Sequence, residues 1–253
     1  LAAPDTMPGF RLSGRLTLFR ILVRQILEAY PRTQAVIVAE DRGVFRVPRQ
    51  LRRRVRLSLV EPPATYGDYV ADAMRRNPGL LVLERLDATS TRGISEAIGR
   101  GTRVLAQFDT VFRGAGVGQQ LRELDFPQEL LKQLTWVVTV GRVPTLCAHC
   151  KRPIHPPQEQ LTALSSRYPM VSRFGEGGTF FEPTGCSQCQ NTGRAGEVSA
   201  FDVYRANAVP AMPFPESSLL PLEAYIFGLA AQGLVPLDDL YHIDADVLHQ
   251  TYH

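Results

Sequence analysis

Arg75-Arg76-Asn77-Pro78-Gly79-Leu80-Leu81-Val82-Leu83-Glu84-Arg85-Leu86-Asp87 is the stretch that decides the fold. Asn77-Pro78-Gly79 is a turn signal: proline fixes its own φ, and Asn and Gly tolerate backbone conformations that other residues avoid. The apolar run behind it, Leu80 to Leu83, has strand length and no polar face. A strand of that kind is buried on both sides, as in parallel sheets. It ends on a carboxylate, Glu84.

Working outward, residues 66–76 read as a helix that stops before the turn. Further upstream, Ala35-Val36-Ile37-Val38-Ala39 is a second buried strand, running directly into Glu40-Asp41. Residues 14–30 place Leu18, Ile21, Leu22, Gln25 and Ile26 at helical spacing, closed by Pro31. Downstream, residues 90–100 form another helix, and Arg103 to Phe108 another strand, ending at Asp109. Residues 116–134 continue helical, and Trp136 to Val140 form a strand. Strands alternating with helices predict an α/β fold with a mostly parallel sheet covered on both faces. Ligands of such sheets lie outside the carboxyl ends of the strands. Three strands that each finish in an acid predict a polar crevice there.

Four cysteines stand as two Cys-x-x-Cys pairs, Cys147 with Cys150 and Cys186 with Cys189. Two residues between thiolates let both sulfurs reach one ion about 2.3 Å away, and four thiolates leave no open position on a tetrahedral metal. The expected occupant is a structural Zn²⁺, with iron second. Paired disulfides would need an oxidising compartment, and nothing in the chain resembles a secretory signal. A thioredoxin-like site needs one pair opening a helix after a strand, whereas both pairs lie beside turn formers. His149 and His155 are close enough in sequence to serve as ligands but read as bystanders. The Pro-, Gly- and Ser-rich insert between the pairs reads as a metal-pinned excursion, followed by a turn and strand at Gly193–Val198. Residues 219–253 read as an amphipathic helical tail interrupted by Pro236.

At 253 residues the chain can build a core without staples, and its hydrophobic content of 44% is ordinary for a soluble globular protein. No apolar run reaches the roughly 18 residues a membrane-spanning helix needs. A net charge of +3 is too small to argue for nucleic acid, and no direct nucleic-acid binding is expected. Only Lys132 and Lys151 are lysines; the other 26 basic residues are arginines. The densest basic run, Arg49, Arg52, Arg53, Arg54 and Arg56, reads first as a solvated strand edge or surface loop. A subunit contact or an anionic membrane surface is the other reading. The chain begins Leu1-Ala2-Ala3-Pro4, without an initiator methionine, and reads as part of something longer.

The order of these features resembles the C-terminal ATPase domain of type II secretion and type IV pilus assembly motors, the secretion-ATPase superfamily. Val38-Ala39-Glu40-Asp41 resembles its Asp box, and Arg76 to Asp87 its Walker B segment with Glu84 as the carboxylate. Gly101 to Thr110 resembles the His box, with Asp109 at the histidine. Thr145 to Cys150 and Gly185 to Gly196 resemble the two halves of the tetracysteine zinc motif, and Ala231 to Leu237 the helical tail. The resemblance implies a RecA-like P-loop NTPase core over residues 1–144, a tetracysteine zinc subdomain over 145–200 and a helical C-terminal region over 201–253. It also implies a homo- or hetero-hexameric ring of motor subunits. Such a ring is cytoplasmic, peripheral to an inner membrane, and contacts the platform proteins of a pilus or secretion system.

The departures bear on activity. A P-loop, G-x-x-x-x-G-K-[ST], sets a lysine on the β/γ-phosphates and a hydroxyl on Mg²⁺. The best candidate, Gly9 to Thr17, keeps Gly9 and Gly14 but has Arg15 at the lysine and Leu16 at the hydroxyl. No lysine precedes Lys132 in any register. The arginine fork is bulkier and differently shaped than an ammonium. Thr17 could ligate magnesium only after a one-residue shift. Glu40, Asp41, Asp109, Gly9, Gly14, Arg15 and Thr17 are thus candidate nucleotide-site residues, and Glu84 the candidate catalytic carboxylate. The resemblance with these losses implies a degenerate ATPase domain that binds ATP and Mg²⁺ weakly or not at all. An active motor using Arg15, Thr17 and Glu84 is the alternative, and a zinc-ribbon interaction module unrelated to motors the third reading.

Overall fold

A computed structural model describes residues 14–42, 47–110, 112–113, 115–167, 179–205 and 219–242. The chain divides into two compact units, residues 1–110 with 119–131, and residues 111–118 with 132–253. The expected 1–144 segment thus contributes to both.

The first unit is built on strands β1 (Ala35–Ala39), β2 (Val55–Leu59), β3 (Leu80–Leu83) and β4 (Arg103–Ala106), in the order β2-β1-β3-β4. Every pairing is parallel, with Ile37 opposite both Leu57 and Val82, and Val82 opposite Leu105. β1 and β3 are buried at every position, as their unbroken apolar runs predict. Helix α1 (Gly14–Ala29) sets Phe19, Val23 and Leu27 against Ala35, Ile37, Ala39, Leu80 and Val82. This turns α1 away from the expected face: Ile21 is 50% exposed. The spacing Phe19, Val23, Leu27 follows i, i+4, i+8 and keeps Arg24 and Glu28 paired in solvent.

Helices α2 (Tyr66–Met74) and α3 (Thr91–Gly99) start on capping boxes, Thr65 with Asp68 and Asp87 with Ser90, the second through a short 3-10 turn. They cross closely at Gly93, where a Cβ would come within 2.4 Å of Val70 Cγ1. The edge strand β2 begins at the end of the basic run. Arg54 at its entrance donates to the carbonyl oxygens of Leu27, Tyr30 and Thr33 at 2.7, 2.6 and 3.1 Å. It therefore caps the end of α1, while Arg49, Arg52, Arg53 and Arg56 are exposed.

α4 (Ala115–Glu123) and α5 (Gln128–Leu131) occupy the stretch expected to be helical. In the second unit, the long strands β5 (Trp136–Leu146) and β8 (Arg194–Arg205) form an antiparallel ribbon. β6 (Arg152–Ile154) pairs with β7 (Phe180–Glu182), and α6 (Gln158–Arg167) lies between them in sequence. Helix α7 (Leu222–Ala231) is buried at Leu222, Ala224 and Ile226 to Ala230, packing with Val143, Leu164, Phe180 and Ala200. The sequence reads the tail as amphipathic, but α7 is apolar except at Glu223, and a helix of that kind belongs inside a core. Residues 243–253 lie outside the described residues. Among the described residues, no helix is long and apolar enough to cross a membrane.

Candidate metal centre and acidic crevice

Two loops of the second unit bring the four cysteines together. Cys147 and Cys150 follow β5, where a tight turn bonds the Cys150 and Lys151 amides to the Cys147 carbonyl at 3.3 and 3.0 Å. Cys186 and Cys189 lie in and beside a 3-10 turn that precedes β8. The loops are joined directly by the Cys147 N–H donating to the Gly193 carbonyl at 2.9 Å. Gly193 has a φ of +69°, and a Cβ there would meet Pro183 at 2.4 Å, so the join requires glycine.

The four sulfurs lie within 4.8 Å of one another. Cys147–Cys186, Cys150–Cys189 and Cys186–Cys189 are 3.9, 3.7 and 3.7 Å apart. A tetrahedral ion with bonds of about 2.3 Å needs sulfur–sulfur edges of about 3.8 Å. A disulfide needs about 2.05 Å, and the thiols are free. The donor set therefore fits a tetrathiolate metal, and Zn²⁺ suits it. Burial raises the Cys189 thiol, but N–H groups of Cys186 and Gly193, each 3.2 Å from its sulfur, outweigh that and hold it down to about 6. Burial and the neighbouring sulfurs push Cys150 up to about 11. His149 and His155 are exposed and stand outside the cluster.

Glu40 and Glu84 meet at the carboxyl ends of the adjacent strands β1 and β3. Glu84, leaving β3, accepts the Glu40 N–H at 2.7 Å as that residue leaves β1. Burial pushes the Glu84 carboxyl above its ordinary value, against the pull of the Glu40 and Asp41 amides. Arg85 pairs with Glu40 and lies over the Tyr66 ring at 5.3 Å. Asp109 follows β4 and is exposed, and its carbonyl accepts from Gln120 at 3.2 Å. Among the described residues only the cysteines converge as a metal-ligand group. Leu86, two residues after Glu84, is buried.

Sequence reasoning did not foresee Tyr66. Its ring is 1% exposed and its hydroxyl lacks a hydrogen-bond partner, as do both amide atoms of Gln107 beyond β4. Burial, then the Glu84 and Glu40 charges, push the Tyr66 phenol far up. It also missed a buried ion cluster in the second unit, Arg113 with Asp202 and Glu223. Capping and long-range pairing of this kind leave no local pattern.

Of the phosphate-loop candidates, Gly9 lies outside the described residues. Gly14, Arg15 and Thr17 form the first turn of α1.

No family model and no curated protein matches the chain. Among solved structures it is similar to the X-ray structure of the Legionella pneumophila ATPase DotB, at 20% sequence identity and a TM-score of 0.41. The likeness covers 54% of this chain and 40% of that one, so the chain spans well under half of that structure's length.

Proposed function

We propose that this chain is a degenerate ATPase-type domain of the secretion-ATPase kind, serving as a structural or regulatory subunit of a pilus or secretion machine. The observation that carries the reading is Glu84. It is half-buried at the end of β3 and held by the amide of Glu40 from the neighbouring strand. That is where a water-orienting carboxylate of a RecA-like core would stand. Phosphoryl transfer is otherwise mostly charge positioning, by lysine and magnesium around the phosphates. The sequence retains the acids but sets Arg15 and Leu16 where lysine and a hydroxyl belong. Arg85, which follows Glu84, is engaged by Glu40.

An active ATPase is the second reading, favoured by the buried hydroxyl of Tyr66 and amide of Gln107. Such groups call for a water or ligand atom. In that case Arg15, Thr17, Asp41 and Asp109 would frame the nucleotide, and Glu84 would orient water. The resemblance supports a ring, probed by light scattering, with inner-membrane platform proteins as partners on the cytoplasmic side. The four thiolates would hold Zn²⁺ with no position left for substrate, which makes its part structural.

ATP turnover of the zinc-loaded chain, measured beside Glu84→Gln, separates the readings. The proposal expects both at background. Turnover well above background that disappears in the variant establishes an active motor instead.

A further inference from the structure

α7 ends in a Schellman arrangement. Gly233, with a φ of +67°, donates to Ala230 at 2.9 Å, and Leu234 donates to Leu229 at 3.0 Å. This leaves the Gly233 and Leu234 carbonyls pointing away from the helix. Both are taken by the first cysteine loop. The Leu146 N–H donates to Leu234 at 2.8 Å, and the Lys151 ammonium to Gly233 at 2.7 Å. Lys151 also lies 4.4 Å over the Phe181 ring, whose edge abuts Gly233 so closely that a Cβ there would come within 2.6 Å. A lysine suits this corner in a chain dominated by arginine, because a compact ammonium can face a ring and one carbonyl together.

The second loop holds the next turn. Arg194, directly after Gly193, forms a two-pronged bond with Asp239, at 3.0 and 2.6 Å. Asp239 is 3% exposed, in the 3-10 segment Leu237–His242. Each loop thus grips one part of residues 233–239. The loops also meet through the Cys147–Gly193 hydrogen bond, Thr184 donating to the Cys150 carbonyl and Thr145 donating to the Ala195 carbonyl at 2.5 Å. At the cysteines themselves, an ion held by the converging sulfurs would be the one covalent tie between them.

We propose that the tetracysteine centre is a metal-dependent latch on α7, both of its loops gripping the helix's C-terminal exit only while an ion holds them together. The inference rests on the metal reading of the cysteines. Without the ion, the four sulfurs at edge distances of a tetrahedron lose the common centre that ties the two loops. The Lys151 and Arg194 grips then no longer act on one segment. α7 has a nearly all-apolar surface, so its loosening uncovers apolar surface.

Hydrogen exchange on the full chain tests this, with bound zinc counted by mass spectrometry. Stripping the metal with a chelator should make amides of residues 222–240 exchange about tenfold faster or more. Strand 80–83 should stay unchanged, and added zinc should restore protection. Lys151→Met keeps the ring contact and all four thiols but loses the donor. It should retain one zinc per chain yet show the faster exchange at 222–240. Protection at 222–240 that survives demonstrated zinc loss, or that Lys151→Met leaves intact, overturns the latch alone. A chain that takes up no zinc overturns the metal reading, and the latch with it.

Discussion

Glu84 is subject to two opposing demands. Burial disfavours its charge, while the amide of Glu40 at 2.7 Å favours it, and burial prevails so that its carboxyl titrates above the ordinary value. A carboxyl raised by folding is relatively favourable to the folded state while protonated. That advantage is complete below the unfolded value and is lost as pH rises through the folded one. Glu84→Gln keeps an acceptor for the Glu40 amide without the charge. Its thermal midpoint should therefore gain on the parent as pH rises from 4 to 7, and a constant or shrinking difference would refute the assignment. Arg113 has the opposite dependence on its neighbours. Asp202 is wholly buried and Glu223 nearly so, and both lean on its guanidinium. Arg113→Met should cost about 3–5 kcal/mol in denaturant unfolding, because it strands two buried carboxylates without their cation.

At the scale of elements, legibility in the sequence follows from how local the cause is. β1 and β3 were readable because burial on both faces writes a continuous apolar run, and the Asn77-Pro78-Gly79 turn marks where β3 begins. β2 was not. Its residues Val55–Leu59 mix exposed and half-buried positions at a sheet edge, and the arginines before them dominate the reading. One of those arginines is a cap: Arg54→Ala should destabilise by about 1–3 kcal/mol through three lost carbonyl contacts. The same change at exposed Arg53 should be nearly silent, and equal effects at the two sites would refute the distinction. α1 was found but turned by one residue, because Leu18, Ile21 and Leu22 look as apolar as Phe19 and Val23. Only the sheet decides which stripe it covers. The cysteine spacing announced the four-sulfur cluster, whereas Lys151 and Arg194 act on residues far along the chain and left no mark.

At the scale of the whole molecule, the two units have different sources of stability. The first rests on a parallel sheet buried by helices, and the second joins an apolar core to loops that a metal would fix. Metal binding energy is local folding energy at such sites. Cys147→Ser should therefore open residues 147–189 to protease while the sheet of residues 35–106 keeps its resistance. Uniform loss across both units, or none in 147–189, would contradict that division.

The functional account turns on a sequence that keeps carboxylates at its strand ends and lacks the lysine that anchors phosphate. Calorimetric titration of the zinc-loaded chain with Mg·ATP addresses this directly. The account predicts no saturable binding below about 1 mM. Saturable binding tighter than that, lost on changing Arg15, would contradict it.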